Sequence, residues 1–178
     1  YYHLDRSVRI GKGYKMKNLL LEEVEYKITE TKRGVWKSFA YENGRTYHEF
    51  VSHKMVGSMP FVHITLGKCP ETGKRKTAKG FIAIGLRAMG VVSIGLFAIG
   101  VISVALIGAG IISIGEVAIG ALFGLGQLAT GVVAIGQFAI GFYLGIGQFA
   151  AGYIAIGQMA IGKYALGQLA FGEHVYSM

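Results

Sequence analysis

Phe81-Ile-Ala-Ile-Gly85, Leu86-Arg-Ala-Met-Gly90, Val91-Val-Ser-Ile-Gly95 and Leu96-Phe-Ala-Ile-Gly100 are four copies of one five-residue unit, x-x-Ala-Ile-Gly. Two looser units follow, Val101-Ile-Ser-Val-Ala105 and Leu106-Ile-Gly-Ala-Gly110, and the series runs on to Gln168-Leu-Ala-Phe-Gly172. That makes 18 units over residues 81–172, two of them six residues long, Ala121–Gly126 and Phe142–Gly147. Repetition at a fixed period marks a stacked architecture. The rival is a pair of transmembrane helices, since Val91–Gly115 carries no charge and is long enough to span a bilayer. A period of five does not fit 3.6 residues per turn, so Gly would wind around every face of a helix. Each Gly would cost an exposed helix interior about 1 kcal/mol. A β-solenoid explains the period directly, each unit being a short strand and a corner, with Gly taking the backbone shape the corner needs.

The irregular units bear on the coil. They start at Ala121 and Phe142, 21 residues apart, which is one 20-residue coil plus the inserted residue. This predicts a four-sided coil of about 20 residues, with successive coils stacked in parallel ladders at ~4.8 Å. Gly124 and Gly145 then form paired bulges on one side of the square. Gln127, Gln148 and Gln168 fall on one ladder and Gln137 and Gln158 on another two sides away, where stacked amides can hydrogen-bond along the axis. A flattened ten-residue coil would put all five Gln on a single ladder.

The columns of the repeat differ in character. The fourth is Ile, Leu, Met, Val, Phe, Ala or Thr130 and is the best inward candidate. The second is mostly large and apolar but admits Arg87, Tyr143 and Tyr164, while the first holds Glu116, Lys163 and all five Gln and faces out. Columns two and four both inward, or column two alone, are the registers open on this reading. Either leaves an outside that is mostly apolar, and monomeric proteins rarely expose apolar patches above a few hundred Å².

In period, residues 81–172 resemble the pentapeptide-repeat proteins, which implies a right-handed, parallel, four-sided β-solenoid; the Asp/Asn column of that family is missing here. A closer resemblance is to uncharacterised hydrophobic bacterial proteins with runs of Ala-Ile-Gly. Those carry a Gly-x-Pro-x-Val-His-Ile segment and a basic turn before the repeat, matched here by Pro60-Phe-Val-His-Ile64 and Pro70-Glu-Thr-Gly-Lys-Arg-Lys-Thr-Ala-Lys-Gly80.

The remainder has another character. Residues 1–80 hold 16 of the 18 Lys and Arg and 8 of the 10 Asp and Glu, so this part is +8 and the repeat is neutral. It reads as a small β-rich N-terminal region. Glu25–Glu30 alternates, Val35–Tyr41 and Thr46–Val51 flank an Asn-Gly hairpin at 42–45, and Phe61–Leu66 is a further strand. Met16–Glu23 reads as a short helix. Residues 173–178 form a short tail with no amphipathic cap, an open coil edge that invites head-to-tail addition of the next subunit.

No catalytic, metal or cofactor site is legible. Of the five histidines, His48 and His53 share a strand region but lack a Cys or carboxylate at metal spacing, and the single Cys69 has no assignable base and excludes an intrachain disulfide. The basic arm Arg6, Arg9, Lys12, Lys15, Lys17 and the loop Lys74, Arg75, Lys76 are candidate contacts for a neighbouring subunit, anionic lipid or a cell surface. Nucleic acid is not an expected partner. The expectation is a non-enzymatic structural subunit that polymerises with itself into a filament or sheet, head-to-tail or laterally, as a bacterial extracellular or cell-surface fibre. The second reading is a membrane-associated solenoid with apolar sides in lipid.

Overall fold

A computed structural model describes residues 14–17 and 23–177. Every regular element among them is a strand: β1 Tyr14–Lys17, β2 Glu23–Thr31, β3 Gly34–Ala40, β4 Thr46–Ser52, β5 Met55–Val56, β6 Met59–Pro60, β7 Val62–Leu66, β8 Thr77–Phe171 and β9 His174–Ser177. Of the helix expected over Met16–Glu23, Met16 and Lys17 belong to β1 and Glu23 to β2; the residues between lie outside the described ones. The chain divides into two compact units, Tyr1–Leu86 and Arg87–Met178.

In the first unit, β1 to β4 form an antiparallel meander and β7 adds antiparallel to β4. Between β3 and β4 the chain reverses at Tyr41–Arg45, where Tyr41 N–H donates to the Arg45 carbonyl and Gly44 takes φ +76°. Gly supplies that left-handed conformation without steric cost. The other edge of β7 pairs in parallel with the start of the repeat, Val62 opposite Ile82 and Thr65 opposite Gly85. The first repeat unit therefore folds with the N-terminal sheet, which is why the unit boundary falls at Leu86. One face of the sheet buries Val24, Tyr26, Tyr47 and Cys69, with Ile28, Phe39 and Tyr41 packed against them.

The second unit is the rest of β8 with β9, and it repeats on itself. Tyr164 pairs in parallel with His174 and Gly167 with Ser177, ten residues on. Elsewhere the glycines show the same step. A Cβ on Gly100 would collide with the carbonyl oxygen of Gly90, one on Gly136 with that of Gly126, and one on Gly167 with that of Gly157. Across the six-residue units the step is eleven, Gly126 against Gly115 and Gly147 against Gly136. These offsets do not match the 20-residue, four-sided coil expected: the backbones brought together are ten or eleven residues apart. The 21 residues between the starts of the long units are one step of each kind. Gly124 and Gly145 occupy equivalent places two turns apart, Gly124 beside the carbonyls of Ala118 and Thr130, Gly145 beside those of Ala139 and Ala151.

The role of the repeat glycines also differs from expectation. Among the described glycines positive φ occurs at Gly44, Gly57, Gly67 and Gly73, none of them in the repeat. Gly100, Gly136 and Gly167 are instead required because the backbone ten residues earlier leaves no space for a Cβ.

Burial assigns the columns. Ala88, Ser93, Ala98, Ser103, Ser113, Ala118 and the Ala series 129, 134, 139, 150, 155, 160, 165 are all buried, and every one stands in column three. Both registers considered from sequence are thus corrected: neither column two nor column four points in. Ala150, Ala155, Ala160 and Ala165 form one cluster, so residues five apart face each other across the interior. That interior is about one methyl group thick per side, and an Ile cannot enter it.

Candidate interaction surface

Side chains alternate across a strand. With column three inward, columns two and four must point out, and in this chain both are large and apolar. Ile99, Ile119, Ile140 and Phe171 of column four and Phe97, Phe138, Tyr143 and Leu169 of column two are exposed. The pattern holds on both sides of each turn. Arg87, Glu116, Lys163 and Glu173 are the only charged residues from Arg87 onward.

The outward residues stack along the ladder. Phe138 and Phe149 approach with ring centroids 5.9 Å apart. On the opposite side Tyr143–Tyr153, Tyr153–Tyr164 and Tyr164–His174 follow at 6.0, 5.6 and 4.9 Å. Lys163 lies over the Tyr153 ring at 5.8 Å and pairs with Glu173 at 3.6 Å. Phe142, in the second six-residue unit, is 85% exposed. With Tyr143 and Tyr153 it borders an open recess of about 360 Å³.

The five glutamines stand on this surface as one column, since each follows one of the stacked glycines Gly126, Gly136, Gly147, Gly157 and Gly167. The two separate ladders expected from a square coil are replaced by one. Among the described residues no side-chain hydrogen bond joins Gln127, Gln137, Gln148, Gln158 or Gln168.

The first unit holds a buried polar cluster that sequence reading missed. Glu49 of β4 is 4% exposed. Its Oε1 accepts from Lys76 Nζ at 2.5 Å and from His63 Nε2 at 3.1 Å, and its Oε2 accepts from the Tyr47 hydroxyl at 3.0 Å. Burial pushes the carboxyl up, but the hydrogen bonds from His63 and Lys76, the Lys76 charge and the Tyr47 hydroxyl outweigh it and hold Glu49 at about 2. Burial and the neighbouring Glu49 charge push the Tyr47 phenol well above its ordinary value. His63 Nδ1 faces the Lys79 backbone, 2.9 Å from its N–H and 3.0 Å from its carbonyl, so the neutral Nε2–H tautomer and the imidazolium both find partners. The cluster joins β4, β7 and the first residues of β8. Beside it a cavity of about 150 Å³ is lined by Tyr26, Lys37, Tyr47, Glu49, Cys69, Glu71 and Lys76. Tyr26 donates to Glu71 Oε1 at 2.9 Å there.

The anticipated basic contacts separate. Lys74 and Arg75 are exposed on their loop. Lys76 turns inward to Glu49, which makes it part of the fold's interior wiring as well as of that loop. Lys15 and Lys17 pair through their backbone with Glu25 and Glu23 in β1–β2. Arg6, Arg9 and Lys12 lie outside the described residues. Among the described residues no group of three or more His, Cys, Asp or Glu is arranged to hold a metal ion, and no helix is long and apolar enough to cross a membrane.

Comparison with protein-family models, with curated proteins and with solved structures finds no match to this chain.

Proposed function

We propose that the repeat winds as a flattened, right-handed parallel β-solenoid with two five-residue sides per turn, and that the protein is a structural subunit associating with copies of itself through the outward apolar columns. The observation that carries this reading is the inversion of the repeat: Ala and Ser inside, Ile, Phe, Leu and Tyr outside on both sides. Each 100 Å² of apolar surface covered contributes about 2.5 kcal/mol before the cost of association. Flat, ladder-like faces with little charge favour face-to-face packing of like subunits into a sheet or filament. Lateral packing is the better supported geometry. At the start of the repeat β7 is already paired on both edges, with β4 and with β8, so a head-to-tail neighbour finds no free strand edge there.

The test is purification without detergent, followed by sedimentation and negative-stain imaging of the wild type and of Ile119→Lys/Ile140→Lys. Both positions are exposed in one outward column. The expected result is regular assemblies for the wild type and discrete, soluble particles with unchanged β-sheet signal for the variant. A wild type that stays monomeric at high concentration overturns the proposal. A second reading, apolar faces against lipid, rests on the same columns; a chain soluble only in detergent and discrete once there would favour it.

A further inference from the structure

Among the described residues of the first unit, the exposed large apolar ones are Trp36, Met55, Val56, Met59 and Leu66, and three of these five sit on one hairpin. Strands β5 and β6 pair Met55 with Pro60 and Val56 with Met59 around Gly57-Ser58. Gly57 holds φ +61° and no atom lies within 4 Å of where its Cβ would stand, so the turn is a free tip. The two pairs are adjacent along the hairpin and point to opposite faces. Met55 is 53% exposed, Met59 40% and Val56 38%, so the tip is bare on both faces.

The collar of this tip is basic. Lys54 precedes Met55 and places its Nζ 4.9 Å over the Phe61 ring. The Lys32-Arg33 turn is tied to the hairpin's base, where His53 N–H donates to the Arg33 carbonyl at 3.1 Å and His53 Nε2 lies 3.2 Å from the Thr31 carbonyl. Between Phe50 and Cys69 the sequence contains no Asp or Glu. Glu30, 3.8 Å from His53, is the acidic neighbour of the collar.

From this geometry we infer that the Lys54–Pro60 hairpin is a membrane-docking finger. Its apolar tip enters the headgroup–acyl boundary of an anionic lipid surface, and Lys32, Arg33 and Lys54 stay at the headgroups. Charge complementarity favours this occupant, because basic residues beside a small apolar insertion read anionic lipid. The inference does not depend on self-association through the repeat and would attach either a single chain or an assembly to a lipid surface.

The test uses the full chain and vesicles of phosphatidylcholine with and without phosphatidylserine. The expected result is binding to the phosphatidylserine vesicles that weakens with salt. Lys54→Ala is expected to weaken it about fivefold, and Met55→Asp/Met59→Asp to reduce it to the level of neutral vesicles. Tryptophan placed at the tip, Met55→Trp with Trp36→Phe, should be quenched by brominated lipid and shielded from aqueous iodide once vesicles are added. Equal binding by the Met55→Asp/Met59→Asp variant, or no quenching by brominated lipid, overturns the inference; shielding from iodide without lipid would point to a protein surface instead. Ile119→Lys/Ile140→Lys should leave tip quenching unchanged, which separates this result from the fate of the assembly reading.

Discussion

Ser103 donates its hydroxyl to Ser113 Oγ at 2.9 Å, ten residues on, and both side chains are fully buried. Gly108, midway between them in sequence, faces the pair so closely that its missing Cβ would stand 2.8 and 2.9 Å from the two oxygens. One contact thus reports the length of a turn, the identity of the inward column and the thickness of the interior.

Ser103→Leu is expected to unfold or strongly destabilise the repeat, because overpacking a tight interior costs typically 1–3 kcal/mol or more and here no void receives the added carbons. Ser103→Ala removes one hydrogen bond and leaves the Ser113 hydroxyl without its partner, a loss of about 1 kcal/mol. Thermal unfolding followed by circular dichroism orders the two variants. A Leu variant as stable as wild type would refute the interior described above.

Turn length has a covalent test. Tyr164 and His174 are direct partners in a parallel ladder. Tyr164→Cys/His174→Cys, in a Cys69→Ala background, should form an intrachain disulfide on mild oxidation, read by mass spectrometry. A 20-residue, four-sided coil would set these positions on opposite sides and leave the thiols reduced.

A side chain on Gly157 would run into the carbonyl oxygen of Gly147. Since that obstacle is backbone, Gly157→Ala should destabilise by roughly 1–3 kcal/mol. Ile119→Ala, at an exposed outward position, should change stability by about 0.5 kcal/mol or less. The reversal of the usual ranking, with a large-to-small change outside harmless and the addition of one methyl against a neighbouring backbone harmful, is measured by denaturant midpoints.

Glu49 links stability to acid. Its folded value, about 2, lies below the ordinary 4.5. Ionised Glu49 therefore contributes stability that is fully present above pH 4.5 and is lost as pH falls from there through about 2, on the order of 3 kcal/mol in all. Glu49→Gln should flatten that part of the pH–stability curve. It should also lower stability near neutrality, by roughly 3–5 kcal/mol, because Lys76 and His63 lose the buried charge they are built around.

Much of the repeat was legible because Gly every five residues fits neither a helix nor a disordered chain. The turn length was not, since 21 residues divide equally well into one long coil or two short ones plus the insertion. Ser93, Ser103 and Ser113 at intervals of ten were the better signal, as were the glutamines at intervals of ten or eleven. The inward column was misread for a physical reason. Hydrophobicity ranks Ile above Ala as an interior residue, but a two-sided turn admits little more than a methyl, so geometry overrides the ranking. The Glu49 cluster escaped notice because its partners lie 14 and 27 residues away on other elements, and only strand register brings them together.

An interior of repeated methyls holds almost no positional information. Shifting one strand by a whole turn would put Ala against Ala again, so the alanines alone cannot tell one alignment from its neighbour. The marks that can are the serine column and the two six-residue units. This gives the chain unusual freedom in evolution: adding or deleting ten residues between those marks preserves every interior contact type and changes only how long the exposed faces are. Length, and with it the extent of contact with whatever lies against those faces, becomes a property that inheritance can adjust in steps of one turn.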